Sequence, residues 1–196
     1  MKFLTTIATI IGAAAFASAQ PTTFQVDPAA STVNFTLGDV LHTVHGSFRV
    51  KTGTIGFDPS NGAASGEVVV DAASGNSGSN ARDGRMKKNI LEVDKYPEIA
   101  FKPDHVDGTV NPLGTSHVRV HGLFRIHGAE HEITIPADVE MASDRMVATL
   151  HFAVPYVSWG MKNPSTLFLR VDDKVAIDIH AVTRKNLIVT GTPGNF

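Results

Sequence analysis

The chain has 196 residues, of which 42% are hydrophobic and 18% charged, and it contains no cysteine. This length suits one domain with a sizeable core, and the lack of cysteine excludes disulfides as a source of stability. A formal net charge of −2 without basic runs excludes the positive surface that nucleic acid requires, and no basic amphipathic stretch is present for membrane binding.

Residues 1–19 have the pattern of a signal peptide. Lys2 provides a positive start, Phe3–Phe16 is largely apolar, and Ala17-Ser-Ala19 is the small-x-small pattern that signal peptidase cleaves. The run is too short and too rich in Ala and Thr for a membrane span. We expect a mature domain over residues 20–196, a periplasmic or secreted location and no stable membrane insertion, the alternative being an uncleaved N-terminal anchor.

From Ser31 onward the dominant period is two, which is typical of strands. Val33, Phe35 and Leu37 share one face of the first run, and polar residues occupy the other. Turn-forming residues separate the runs, a pattern that indicates an antiparallel sandwich or barrel, and the even spacing favours a barrel of about eight strands. The later runs are Gly46–Val50, Gly53–Phe57, Gly66–Asp71, Glu98–Lys102, His117–His127, Glu132–Val139, Arg145–Val154 and Lys174–Val182.

One stretch departs from this alternation. Ser74–Asn80 is a small, polar loop, and Ala81–Leu91 follows it with an apolar stripe of Met86, Ile90 and Leu91. Ser79 or Asn80 can cap a helix, and Lys87 and Lys88 suit its last turn. The pattern predicts one short helix or two helical turns, packed across an end of the barrel.

The inward positions of the predicted strands are large and apolar. They either fill one another as an ordinary core or surround a cavity that holds a slender ligand. The interior candidates are Val33, Phe35, Leu37, Phe48, Val50, Ile55, Phe57, Val68, Val70, Ile99, Phe101, Val118, Val120, Phe124, Ile126, Ile133, Ile135, Phe152, Val154, Ile177 and Ile179.

Four motifs carry a resemblance to a known family. Val44-His-Gly-Ser-Phe48 with Gly53-Thr-Ile-Gly-Phe-Asp58, the pair Arg82-Asp83, Lys95-Tyr-Pro-Glu-Ile-Ala-Phe101 and Val120-His-Gly-Leu-Phe-Arg-Ile-His-Gly128 occur in the family's order and spacing. Together they resemble the YceI-like family of exported proteins, from about Phe24 to Ala181.

The resemblance implies an all-β fold, an eight-stranded antiparallel lipocalin-like β-barrel with a short helix near one opening. It also implies that the interior binds a polyisoprenoid, such as a polyprenyl phosphate or an isoprenoid quinone, and that two copies can pair as a homodimer. The bound lipid or quinone would be a ligand, and no separate cofactor is expected. Each buried CH₂ group contributes about 0.8 kcal/mol, so a tail can bind by apolar area alone, with polar groups confined to the rim.

Polar groups near the predicted opening are the candidate rim residues. His42, His45 and the pair Arg82-Asp83 are the candidates, and Asp83 is expected to hold Arg82 in a bidentate pair that leaves donors for a phosphate or quinone oxygen. A purely structural ion pair is the alternative.

The segment Pro155–Arg170 departs from the family pattern, being long where a short polar stretch is expected. It carries the only tryptophan, Trp159, and we expect it to form a lid or rim with Met161, Leu167 and Phe168 near the ligand or in a dimer contact. A satellite cluster that covers one end of the barrel is the alternative.

Catalytic and metal sites have little support. His117, His121 and His127 lie on the face opposite Val118 and Val120, hence outside the barrel, and their spacing is not that of a zinc motif, so no metal ligand is assigned. No nucleophile elbow is present, and no catalytic residue is assigned.

The sequence therefore favours a carrier that sequesters or transports a long isoprenoid lipid. The alternatives are an enzyme that acts on an apolar small molecule, and an adaptor whose barrel is filled by its own side chains and whose outer face binds a partner.

Overall fold

The computed structural model describes residues 22–38, 42–166 and 170–185, so the predicted signal peptide, Leu167 and Phe168 lie outside the described residues. The alternation of apolar and polar side chains produces strands, because successive side chains of a strand point to opposite faces. The strands are β1 (Thr22–Val26), β2 (Thr32–Gly38), β3 (Thr43–Phe57), β4 (Ala64–Asn76), β5 (Glu98–Asp107), β6 (Gly114–Ile126), β7 (Ala129–Met141), β8 (Arg145–Val154) and β9 (Val175–Lys185).

The sheet closes on itself. From β2 to β9 each strand pairs with the next in antiparallel fashion, and β9 returns to pair with β2. β1 and β2 lie end to end between β3 and β9: Phe24 is opposite Ile55 and Lys185, whereas Phe35 is opposite Gly46 and Ile177. Nine strands therefore occupy eight positions, and the expected eight-stranded barrel is confirmed.

Two strand predictions are corrected. β1 was not anticipated from the sequence, because the alternation in Thr22–Val26 is too short to stand out. The runs Gly46–Val50 and Gly53–Phe57 are one strand, β3, with a shift of register against β4 between Val50 and Thr52. This bulge inserts one extra residue, so the inward positions change from even to odd numbers, and the alternation looks like that of two strands.

A helical cover lies across one end of the barrel, which we call the helix end. It consists of α1 (Asn80–Arg85) and a π-helical turn (Met86–Ile90), which connect β4 to β5. Ser79 occupies the N-cap position, but its side chain makes no capping hydrogen bond. Leu91 is buried, and Met86 and Ile90 pack against the same cluster. The predicted short helix near one opening is confirmed, and the π-helical turn continues it to Ile90.

The inward side chains pack in groups along the barrel axis. The largest group is at the helix end and contains Phe124, Val154 and Met161. A second group, at the opposite end (the far end), contains Val118 and Val139. Their burial removes apolar surface from water, which is the main driving force for folding of this cysteine-free chain.

Gly66 allows a first prediction about stability. Its φ is +98°, and a Cβ atom there would lie 2.0 Å from the carbonyl oxygen of Thr54 in β3. Gly114 is the matched control, since its φ is +88° but a Cβ atom would meet nothing within 4 Å. We expect Gly66→Ala to lower the free energy of unfolding by about 2 kcal/mol more than Gly114→Ala, because only the first adds a steric clash to backbone strain. Equal losses in chemical denaturation would contradict this account of the β3–β4 pairing.

Candidate functional site

The barrel encloses a cavity of about 610 Å³. It extends from Val139 and Met146 at the far end to Arg82, Met86 and Met161 at the helix end. Ligand-binding pockets have volumes of roughly 300–1,000 Å³ and mostly apolar walls, so the volume is that of a ligand site. The described side chains therefore do not fill the barrel, which contradicts the adaptor alternative with a packed interior.

The structure places the predicted interior residues on this cavity, with Ile133 as the exception. Ile133 is on the inward face of β7, but it packs into the helix-end cluster with Phe124. Alternation along a strand predicts the face of a residue and not its depth along the barrel axis. The position of Ile133 is corrected for this reason.

Among the lining residues that sequence reasoning missed, two kinds have a clear cause. Small side chains on the inward faces were overlooked because only large apolar residues were sought, and their small volume keeps the centre of the barrel open. Other lining residues come from the segment after β8, where no alternation marks them. The first kind includes Ala64, Ala137, Ala148 and Ala181, and the second includes Tyr156, Met161 and Pro164.

Two polar side chains within the cavity wall are engaged by the main chain. The Tyr156 hydroxyl donates to the carbonyl oxygen of Asp172 at 2.7 Å. Burial, together with the carboxylates of Asp173 and Asp172, raises the pKa of Tyr156 to about 12, so this phenol stays neutral. The Thr183 hydroxyl donates to the carbonyl oxygen of Met146 at 2.9 Å. Because both hydroxyls are satisfied internally, neither requires a polar ligand atom.

Among the described residues, charged side chains line the cavity only at its mouth, at the helix end. Ser77, Ser79, Arg82 and Arg85 line the mouth on the side of the helical cover. Gly38 and Val44, which flank the β2–β3 connection, also line the cavity. Arg85 is exposed and has no hydrogen-bond or ion-pair partner among the described residues. A positive mouth on an apolar tunnel suits an elongated ligand with an anionic end.

Arg82 and Asp83 meet through Ser77, so the expected bidentate pair between them is corrected. Oδ1 of Asp83 accepts from the main-chain N–H of Ser77 at 2.8 Å and from its hydroxyl at 2.5 Å. Arg82 donates from Nε to the Ser77 hydroxyl and from Nη2 to the Ser77 carbonyl oxygen, both at 2.8 Å. The chain turns between Ser77 and α1, which brings the serine between the two side chains. Arg82 keeps its other N–H groups for a ligand.

The other predicted rim residues do not line the cavity. Asp83, in α1 of the helical cover, is buried and does not line the cavity. His45 is exposed on the outer face of the barrel, with Nδ1 3.1 Å from the Thr36 hydroxyl, and His42 also lies outside the lining. Trp159 stacks on the ring of His131, with centroids 3.9 Å apart. Of the five predicted rim residues, Arg82 is therefore the one at the mouth.

The histidines predicted to lie outside the barrel pair with carboxylates. His117 contacts Asp138, and His121 contacts Asp104 at 2.6 Å. The hydrogen bond with Asp104 raises the pKa of His121. His127 lies 3.0 Å from a carboxylate oxygen of Glu92, next to the helical cover. Within residues 22–38, 42–166 and 170–185, no cluster of three or more His, Asp or Glu side chains can hold a metal ion.

None of the helices in the described part of the chain is long and apolar enough to span a bilayer.

Comparisons with known proteins agree with the fold. The sequence matches the model of the YceI-like domain over residues 24–183. BcnA of Burkholderia cenocepacia superposes with a TM-score of 0.65 at 20% identity, covering 80% of this chain and 98% of that one. A polyisoprenoid-binding domain from Saccharophagus degradans, implicated in plant cell wall breakdown, has a TM-score of 0.64 at 18% identity, covering 83% and 98%. The Campylobacter jejuni YCEI protein has a TM-score of 0.60 at 18% identity, covering 75% and 88%. A search of curated protein sequences finds no match.

The Ser77 bridge generates a prediction about pH and stability. The hydrogen bond from the Ser77 hydroxyl holds the pKa of Asp83 below its usual value. A depressed pKa in the folded state contributes stability that is present above the unfolded-state pKa and lost as the pH falls through the folded-state pKa. We expect Ser77→Ala to raise the pKa of Asp83 and to cost about 1–3 kcal/mol at pH 7, with the difference from wild type shrinking in acid. NMR titration of the carboxyl groups measures the pKa, and chemical denaturation at pH 7 and in acid measures the difference in stability.

Ser60→Ala is the control for that prediction. Ser60 donates to Oδ1 of Asp58 through the same two groups, main-chain N–H and hydroxyl, and lowers the pKa of Asp58. This loop is exposed, so loss of the Ser60 hydroxyl should raise the pKa of Asp58 with little change in the free energy of unfolding. Equal destabilisation by the two variants would contradict a special role of the Ser77 bridge.

Proposed function

The chain belongs to the YceI-like domain family, and we propose on this premise that its barrel binds a long isoprenoid lipid, with the tail inside and the head group at the helix end. The observation that carries the proposal is the continuous apolar cavity between Met146 and Arg82. The polyisoprenoid-binding domain from Saccharophagus degradans, which has the same fold, supports this class of ligand.

The tail is held by buried area. Each CH₂ group that leaves water contributes about 0.8 kcal/mol, and the lining provides apolar contacts along the whole length of the cavity. An isoprenoid tail is long, slender and free of polar atoms, so it leaves no donor or acceptor unsatisfied in such a cavity. Tyr156 and Thr183 are already hydrogen-bonded to the main chain and do not compete for it.

The head group is anionic in this proposal, because two arginines line the mouth. Arg82 is oriented by Ser77, and Arg85 projects nearby without a partner among the described residues. A guanidinium binds phosphate oxygens with two parallel hydrogen bonds, which a neutral quinone carbonyl cannot reciprocate. The mouth therefore favours a polyprenyl phosphate over an isoprenoid quinone.

The role that follows is that of a carrier and not an enzyme. An exported barrel that encloses the tail shields it from water while the head remains at the surface, which suits sequestration or transport in the periplasm or outside the cell. The two hydroxyls inside the barrel, those of Tyr156 and Thr183, support this role, since the main chain engages both.

Filling the cavity tests the location of the tail. Ala148 and Ala181 lie opposite each other on β8 and β9, and both line the cavity. We expect Ala148→Phe or Ala181→Phe to weaken binding of geranylgeranyl phosphate by at least about tenfold, because the new ring occupies the volume of several CH₂ groups. Ala153→Phe makes the same change on the exposed face of β8 and should bind as wild type. Titration calorimetry measures the affinities, and extraction with mass spectrometry detects lipid retained from the cell. Full affinity in both cavity variants would place the tail elsewhere.

Removing the arginines tests the head group. Arg82→Ala and Arg85→Ala should each weaken geranylgeranyl phosphate by about tenfold, since hydrogen bonds to charged groups contribute roughly 1.5–3 kcal/mol, and should leave geranylgeraniol unaffected. Arg49→Ala removes an arginine that pairs with Asp71 on the outer face and serves as the control. If geranylgeraniol and geranylgeranyl phosphate lose affinity equally, the arginines stabilise the helical cover and do not bind the head group.

A further inference from the structure

The wall of the barrel is incomplete between β7 and β8 at the helix end. The ladder between these strands runs from Met141 opposite Met146 to Ala137 opposite Leu150. The next residue of β7 is Pro136, which has no N–H group to donate to a ladder. Toward the helix end, residues 129–136 of β7 pair with β6, and residues 151–154 of β8 pair with β9, but within the described chain they do not pair with each other.

The segment that follows β8 closes this split, and we call Pro155–Met161 the gate segment. Its Trp159 ring reaches β7 and stacks on His131, at 3.9 Å between centroids and 6° between planes. The same ring lies 5.9 Å from Phe124 of β6, which lines the cavity. Tyr156 and Met161, at the base of the segment, also line the cavity. The segment is therefore a piece of wall supplied by side chains where backbone pairing stops.

The gate segment is attached firmly at its base and weakly at its tip. At the base, the main-chain N–H of Met161 donates to the Tyr156 carbonyl oxygen, and the Tyr156 hydroxyl donates to Asp172. At the tip, the Trp159 ring is held by its stack on His131 and its contact with Phe124, and Nε2 of His131 is buried there without a hydrogen-bond partner among the described residues. An unsatisfied buried nitrogen opposes the closed state, and lifting Trp159 would return it to water.

The charged groups around His131 do not strengthen the attachment. Its neighbours on β7, Glu130 and Glu132, are on the outer face, where they lie within 4.0 Å of Lys102 and 3.7 Å of His121. Arg125 of β6 is also on the outer face, near Glu67. Burial lowers the pKa of His131, so a neutral ring meets Trp159. The closed state therefore rests on apolar stacking, and no ion pair among the described residues holds it.

We propose that the gate segment opens a lateral portal between β7 and β8, with Trp159 on His131 as the latch. The inference rests on the proposed function, because it concerns how an isoprenoid tail enters and leaves the cavity. Since the split begins at the helix end, a tail can swing out sideways while its head group stays at the mouth. Trp159 thereby controls the rate of exchange more than the strength of binding.

Ligand kinetics test the latch, with all-trans-retinol as a fluorescent isoprenoid probe. In Trp159→Ala both the association and the dissociation rates should rise by about tenfold, which is the scale of a lost aromatic pair, and the dissociation constant should stay within about threefold of wild type. Trp159→Phe keeps an aromatic ring and should restore most of the wild-type rate. His117→Ala, on the outer face of β6, is the control and should match wild type. A rise in the dissociation rate alone would overturn the gate, since it would make Trp159 an ordinary wall residue.

Tethering the segment gives the reciprocal test, and the cysteine-free chain allows it without background thiols. Cysteines introduced by His131→Cys and Trp159→Cys, joined by a bifunctional methanethiosulfonate, should slow retinol exchange by about tenfold relative to the unlinked variant, and a reductant should restore it. Identical exchange rates in linked and unlinked protein would overturn the gate. Equilibrium binding of retinol in the same proteins would still support the proposed function. If wild-type protein binds neither retinol nor geranylgeranyl phosphate, the proposed function fails, and the gate fails with it.

Discussion

Closure of the sheet between β9 and β2 is the constraint on which the rest of the structure depends. It satisfies the edges of both strands and fixes the ring at eight positions, a width at which side chains can only just meet across the centre. Alanines at three inward positions keep them from meeting, namely Ala137, Ala148 and Ala181. The cavity is thus a consequence of the ring size and of a few small residues, in a chain that has no disulfide to hold an open barrel together.

The same constraint separates the chemistry of the two parts of the site. Inside a closed apolar barrel a polar group must find its partner within the protein, as the hydroxyls of Tyr156 and Thr183 do. Charge is tolerated where the barrel meets water, and there Arg82 and Arg85 stand beside the helical cover. In the proposed function this division assigns binding strength to the tail and discrimination to the head group. Ser77 supports the mouth, since it orients Arg82 and anchors α1 through Asp83.

Where backbone pairing stops, side chains complete the wall. Pro136 ends the β7–β8 ladder, and stacking of Trp159 on His131 takes its place. A ladder of hydrogen bonds opens only by local unfolding, whereas a stacked ring opens by moving one side chain and its segment. In the proposed function this difference favours a portal here over one between β6 and β7, whose ladder is continuous along both strands.

By itself the sequence determined the strand class, the inward faces of the strands from β2 to β9 and the short helix, because these follow from local alternation and local composition. Alternation does not predict β-bulges, and one extra residue in β3 made a single strand look like two. Only the tertiary structure decided the depth of Ile133, the outward position of His45 and the serine bridge between Arg82 and Asp83. It also decided that the barrel is hollow. These features depend on distances between residues far apart in the chain, which closure of the barrel sets and local alternation does not encode.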